Sequence, residues 1–93
     1  MTEKEAKGKE MELYKKALEK WGNAAQKLMM IEEMSELTKE LCKTFREFKG
    51  NIPAICEELA DVDIMLMQMK YIFPEWKYHK IRKLERLEGA LKK

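Results

Sequence analysis

Two short acidic motifs carry the chemistry that this chain offers, Glu32-Glu33-Met34-Ser35-Glu36 and Glu57-Glu58-Leu59-Ala60-Asp61. Glu33 and Glu36 are three positions apart, as are Glu58 and Asp61, and on a helix side chains at that spacing project in nearly the same direction. Glu32 and Glu40 extend the first stripe. Carboxylates gathered in this way repel one another and lose hydration, so a buried cluster of them requires cations. The donors are all hard oxygens, the single histidine, His79, is distant in sequence, and neither Cys42 nor Cys56 lies within the motifs. Such a donor set selects Mg²⁺, with Mn²⁺ as a substitute, over zinc. Magnesium keeps several waters and takes substrate phosphates at its remaining positions, which points to phosphate chemistry. The plain alternative is a solvated acidic face, since the chain carries 17 acids.

The elements that must position these acids are separated by sparse punctuation at Trp21-Gly22-Asn23, Gly50-Asn51-Ile52-Pro53 and Phe73-Pro74-Glu75. Four helices are expected, and the fold class is all-α. The first runs from about Glu10 to Lys20 after a frayed lead-in over residues 1–9, with Met11, Leu13, Tyr14, Ala17 and Leu18 as a partial apolar face. The second runs from about Ala24 to Phe48, capped by Asn23 and stopped by Gly50, with Leu28, Ile31, Met34, Leu37 or Thr38, Leu41 and Phe45 marching at steps of three and four. The third starts at Pro53 and runs to about Tyr71 on an apolar line of Ile55, Leu59, Val62, Leu66 and Met69. The fourth, over about 75–92, is basic and carries Ile81, Leu84, Leu87 and Leu91. Short connections make the second and third helices an antiparallel hairpin over about 24–71. Measured from a turn centred near Asn51, Glu40, Glu36 and Asp61 come closest in height, and convergence of Glu33, Glu36, Glu58 and Asp61 needs a stagger.

Composition narrows the function classes. At 93 residues and 45% apolar content the chain is one small domain, with too little core to be comfortable alone. No apolar run is long enough to cross a bilayer, and the charged first twenty residues lack a secretion signal, so a cytoplasmic protein with reduced cysteines is expected. Cys42 and Cys56 then serve as small buried apolar residues. The net charge of +2 is unevenly spread: residues 24–63 hold five bases against nine acids and residues 77–93 seven bases against two acids, so a −4 middle precedes a +5 end. That pattern suits a charged central site better than a nucleic-acid footprint across the whole domain.

The order Trp21-Gly22, Gln26, Met29-Met30, Glu32-Glu33-x-x-Glu36-Leu37, then Glu57-Glu58-Leu59-Ala60-Asp61-Val62-x-Ile64-Met65-Leu66 resembles the MazG-like family of all-α nucleoside triphosphate pyrophosphohydrolases. The resemblance covers Trp21 to Gln68, about half the chain, and short phage and bacterial members look most similar. It implies a helical bundle completed by oligomerisation, as a homodimer or homotetramer. It also implies cleavage of a (deoxy)nucleoside triphosphate to the monophosphate and pyrophosphate in nucleotide-pool house-cleaning. Carried over by position, Glu33, Glu36, Glu58 and Asp61 are the magnesium ligands, and Glu33 or Glu36 is the carboxylate that takes the proton of the attacking water.

Other residues have two readings each. Trp21 offers a flat face to a base or anchors a core or interface. Lys39 and Lys43 reach phosphates or belong to a solvated face, and Gln68 touches a base or ribose or simply packs. Eight methionines, concentrated on the two central helices, fill their interface or line an adaptable pocket. Tyr71, Phe73, Trp76 and Tyr78 anchor the fourth helix or a second subunit. The competing function is a non-catalytic helical interaction module, binding a partner through the acidic hairpin or the basic last helix; nucleic-acid binding by Lys80, Arg82, Lys83 and Arg86 is weaker, because no recognisable motif surrounds them.

Overall fold

Thr2 sets the start of the chain's first helix. Its hydroxyl accepts from the Glu5 N–H at 3.1 Å while the Glu5 carboxylate accepts from the Thr2 N–H at 3.4 Å, a reciprocal cap that satisfies two otherwise orphaned donors. In the computed structural model, which describes residues 1–46 and 51–93, four helices result: α1 (Glu3–Trp21), α2 (Asn23–Lys43), α3 (Ile52–Ile72) and α4 (Trp76–Leu91). Residues 3–9, expected to fray, are thus helical, held by that cap and by Glu3 and Glu5 facing the positive end of the helix.

Gly22 separates α1 from α2. Its φ of 88° and ψ of 158° lie in a region open essentially to glycine alone, and its N–H closes α1 on the Leu18 carbonyl at 2.9 Å while its carbonyl opens α2 by accepting from Gln26 at 3.2 Å. Gly22 rather than Asn23 is therefore the N-cap of α2. At its far end α2 stops at Lys43, short of the expected Phe48. The Thr44 hydroxyl takes the Leu41 carbonyl at 2.7 Å, and the N–H groups of Thr44, Phe45 and Arg46 each reach back three residues in a tightened turn. Phe48 and Gly50 lie outside the described residues. Asn51 caps α3 through its side chain, with Pro53 in the first turn, and the Phe73 N–H closes that helix on Met69 before Pro74.

α2 and α3 pack along each other as an antiparallel hairpin, and α1 lies against both. Their seam shares Leu37 of α2 and Ile55, Val62 and Met69 of α3 with the apolar lines of the sequence and departs from them elsewhere. The side chains turned inward on α2 include Gln26, Met30, Glu33, Leu37 and Glu40, and those on α3 include Ile55, Glu58, Val62, Met65 and Met69, each series at steps of three and four, with Gln68 beside Met65 and Met69. Leu28, Ile31, Met34 and Leu41, with Leu59 and Leu66, are exposed instead. Apolar periodicity marks a face without saying what covers it. Cys42 and Cys56 are likewise exposed rather than buried. Among the described residues Tyr14, Leu18 and Met65 are the buried apolar side chains, joined by Gln26 and Gln68. α4 leaves the hairpin after Pro74 and has no buried residue; the half-buried Trp76 at its start lies under Lys70 at 4.2 Å.

Candidate metal centre and adjoining groove

The hairpin register is what assembles the acids. Gln26 of α2 hydrogen-bonds to Gln68 of α3, and Glu36 stands ten positions after the first while Glu58 stands ten before the second, so in an antiparallel pair the two are level. Three further along each helix, Glu33 is level with Asp61. Relative to a turn centred near Asn51 this is the stagger that convergence of the four acids needs, and Glu40 is not level with Asp61. The outcome is two rungs of facing carboxylates, Glu36 with Glu58 and Glu33 with Asp61. Ligand oxygens of Glu33, Glu36 and Glu58 all lie within 4.8 Å of one another.

Their electrostatics follow from that closeness. Burial pushes the Glu33 carboxyl above its ordinary range, and the charges of Asp61 and then Glu36 push it further. Glu58 is raised the same way, first by burial and then by Glu36 and Glu33. One oxygen of each, Oε2 of Glu33 and Oε2 of Glu58, is buried without a hydrogen-bond partner. Two orphaned anionic acceptors beside further carboxylates are costly as they stand and fit a hard divalent cation, whose ligands would be these oxygens.

Beyond the upper rung the seam opens into a groove of about 900 Å³ between α1, α2 and α3, lined largely by apolar side chains. Gln26 and Gln68 form its floor. Gln26 Nε2 donates to Gln68 Oε1 at 2.7 Å, and Gln68 Nε2 makes a weak contact with Met65 Sδ at 3.8 Å. Both amides are almost fully buried, Gln26 at 5% and Gln68 at 2% exposure. Met29 and Met65 line the groove and lie one helical turn from Glu33 and Asp61, so groove and acids adjoin. Tyr14 and Trp21 contribute aromatic wall. Trp21 remains 58% exposed, with Lys20 over its ring at 5.3 Å, which makes it a rim residue and not a core anchor.

The remaining sequence candidates are placed as follows. Glu40 is held by Lys43 at 3.0 Å, so that lysine is engaged within its own helix. Lys39 is exposed on α2, and Asp63 stands beside Tyr14, away from the acid rungs. The Tyr14 hydroxyl is raised by burial and by the nearby charges of Glu10 and Asp63. Gln26 has no role in the sequence beyond its place in the family pattern, whereas Met29 and Met65, which line the groove, are among the methionines expected to fill an interface or line a pocket. The signal was present, since Gln26 lies seven residues before Glu33 and Gln68 seven after Asp61, the same heptad step on both helices. Comparison with protein-family models, with curated proteins and with solved structures gave no match.

Proposed function

We propose that the protein is a Mg²⁺-dependent nucleoside triphosphate pyrophosphohydrolase of MazG-like type, acting on (deoxy)nucleotides in the cytoplasm as a homo-oligomer. The observation that supports it is the pair of carboxylate rungs, with orphaned oxygens on Glu33 and Glu58, abutting an apolar groove with an amide floor. Triphosphate and nucleoside need two such neighbouring environments, one for hard cations and one for a flat heteroaromatic group.

Glu33, Glu36, Glu58 and Asp61 would hold Mg²⁺ or Mn²⁺, which when bound neutralises the triphosphate and lowers the pKa of a coordinated water. The groove takes the nucleoside, with Trp21 at its rim against the base and the Gln26–Gln68 amides available to its polar edge. Either Glu33 or Glu36, the latter the exposed member of the carboxylate trio, would instead take the proton of the attacking water. The water oxygen bonds to the α-phosphorus, the bond from that phosphorus to the α,β-bridging oxygen breaks, and pyrophosphate leaves with its electrons.

Pyrophosphate release from a panel of canonical and modified nucleoside triphosphates, with Mg²⁺, with Mn²⁺ and with chelator, tests the reading. Metal-dependent release that disappears in Asp61→Ala, with helicity intact, is the expected result. No release from any nucleotide overturns it and leaves the acidic hairpin as a binding surface.

A further inference from the structure

The two amides on the floor of the groove lie in a fixed order. Gln26 Nε2 donates to Gln68 Oε1 at 2.7 Å, and Gln68 Nε2 is turned to Met65 Sδ at 3.8 Å. With both amides turned over, the Gln68 carbonyl oxygen would face that sulfur, one acceptor against another, and the contact would be lost. The sulfur therefore sets which way the pair lies, and the oxygen left over is Gln26 Oε1. Among the described residues it accepts no hydrogen bond, yet it is not sealed from solvent as Oε2 of Glu33 and Oε2 of Glu58 are. Gln26 is almost fully buried and lines the groove, so this free acceptor opens onto it.

An acceptor on a floor reads whatever a base pushes furthest into the groove, which is the substituent on the far side of its ring from the sugar. In cytosine and adenine that group is an amine and donates. In uracil, thymine and hypoxanthine it is a carbonyl oxygen, which repels a second acceptor and leaves both without a partner. Met29 and Ile64 wall the groove with apolar surface, so no side chain there repairs the mismatch. A buried acceptor left unpaired is costly, and a site built to hydrogen-bond one group discriminates strongly against an analogue that lacks it. The depth agrees: Gln26 and Glu33 are seven residues apart, about 10 Å along α2 at 1.5 Å per residue, close to the length of a nucleoside from that substituent to its 5′-oxygen.

We infer that Gln26 Oε1, held by Gln68 and oriented by the Met65 sulfur, is the specificity-determining acceptor of the site, and that the protein selects nucleotides whose base carries an exocyclic amino group, cytosine or adenine, over their keto counterparts. The inference rests on the reading of the groove as the nucleoside site and is independent of turnover.

Isothermal titration of the full chain with nucleoside monophosphates in the presence of Mg²⁺ tests it in matched pairs, deoxycytidine against deoxyuridine and deoxyadenosine against deoxyinosine monophosphate. No hydrolysis is needed, so a failure of pyrophosphate release and a failure of base selection are read separately. The amino member is expected to bind at least about tenfold more tightly than its keto partner. A preference in one pair alone supports the inference and names the base; equal affinities, a keto preference, or no binding of any of the four overturns it. Gln26→Leu/Gln68→Leu should bring the ratio of affinities close to one, and a ratio unchanged in that variant overturns the role of Gln26. Met65→Leu keeps the bulk and loses the sulfur, which frees the pair to lie either way. The ratio should then fall because the keto nucleotide binds more tightly, and an unchanged ratio overturns the orienting role of Met65.

Discussion

Gln26 donates to Gln68 at 2.7 Å across the α2–α3 seam, and the bond lies in the same register as the acid rungs. Seven residues on from Gln26 is Glu33, and seven back from Gln68 is Asp61; three more in each direction reach Glu36 and Glu58. A single antiparallel alignment therefore sets both the amide floor of the groove and the carboxylates beside it. A one-residue slip of α3 would break all three pairs together.

Removing one amide should be worse than removing both. Gln26→Leu leaves the buried Gln68 carbonyl oxygen without its donor and is expected to cost about 1–3 kcal/mol, whereas Gln26→Leu/Gln68→Leu is expected to come close to the parent. Urea unfolding of the two single variants and the double variant measures the difference. Equal losses that simply add would show that the two amides act independently.

The acids should behave oppositely in stability and in turnover. Without metal, Glu33→Gln relieves repulsion with Asp61 and Glu36, so its melting temperature is expected to rise above that of the parent. In the presence of Mg²⁺ the parent should gain and the variant should gain less. Under the proposed function, Glu58→Gln and Asp61→Ala should lower kcat/KM by more than the roughly 10–100-fold typical of a residue one shell out from a metal. Thermal melts with and without Mg²⁺, paired with the pyrophosphate assay, check both halves.

Stability should also depend on pH with a definite sign. Glu33 and Glu58 titrate above their ordinary value when folded, so the folded chain binds more protons there than the unfolded chain does. Their contribution is fully present below about pH 4.5, the ordinary carboxylate value, and is lost as pH rises through the raised values. The metal-free protein is expected to lose stability over that interval, and Mg²⁺ to restore it. Melting curves across the acid-to-neutral range follow this directly, and a metal-free chain that gains stability there would contradict the arrangement.

Gly22→Ala should destabilise the α1–α2 junction by about 1–3 kcal/mol through its backbone alone. A Cβ at this position meets nothing within 4 Å, so side-chain crowding plays no part. Gly8→Ala, inside α1 and equally open, is expected to stabilise by about 0.5–1 kcal/mol. Chemical unfolding of the two variants separates a conformational requirement from mere helix propensity.

The number and order of helices were legible because glycine, proline and the acid motifs leave local marks. Thr2 with Glu5 is such a mark too, and residues 3–9 are helical because of it. The carboxylate set was legible as two E-x-x-[ED] steps, yet its pairing was not, since the level of Glu36 with Glu58 depends on where α2 ends, and Thr44 settles that through a hydroxyl bond to Leu41. The inward face of α2 is only partly its apolar line. Gln26, Glu33 and Glu40 occupy seam positions where apolar residues are expected, while Leu28, Ile31 and Leu41 look outward. Periodicity finds the apolar stripe, and a functional seam is where polar residues displace it.

The acid rungs sit in the middle of the hairpin, between the Gln26–Gln68 bond at one end and the capped start of α3 at the other. In dynamic terms this makes the middle of the seam the first place to breathe when no cation is bound. Backbone amides near Glu33 and Glu58 would then exchange with solvent faster than those near Met65, although both stretches are helical. Cation binding would close that opening, so the same carboxylates that prepare the site for its metal also make local rigidity a reporter of whether the metal is there.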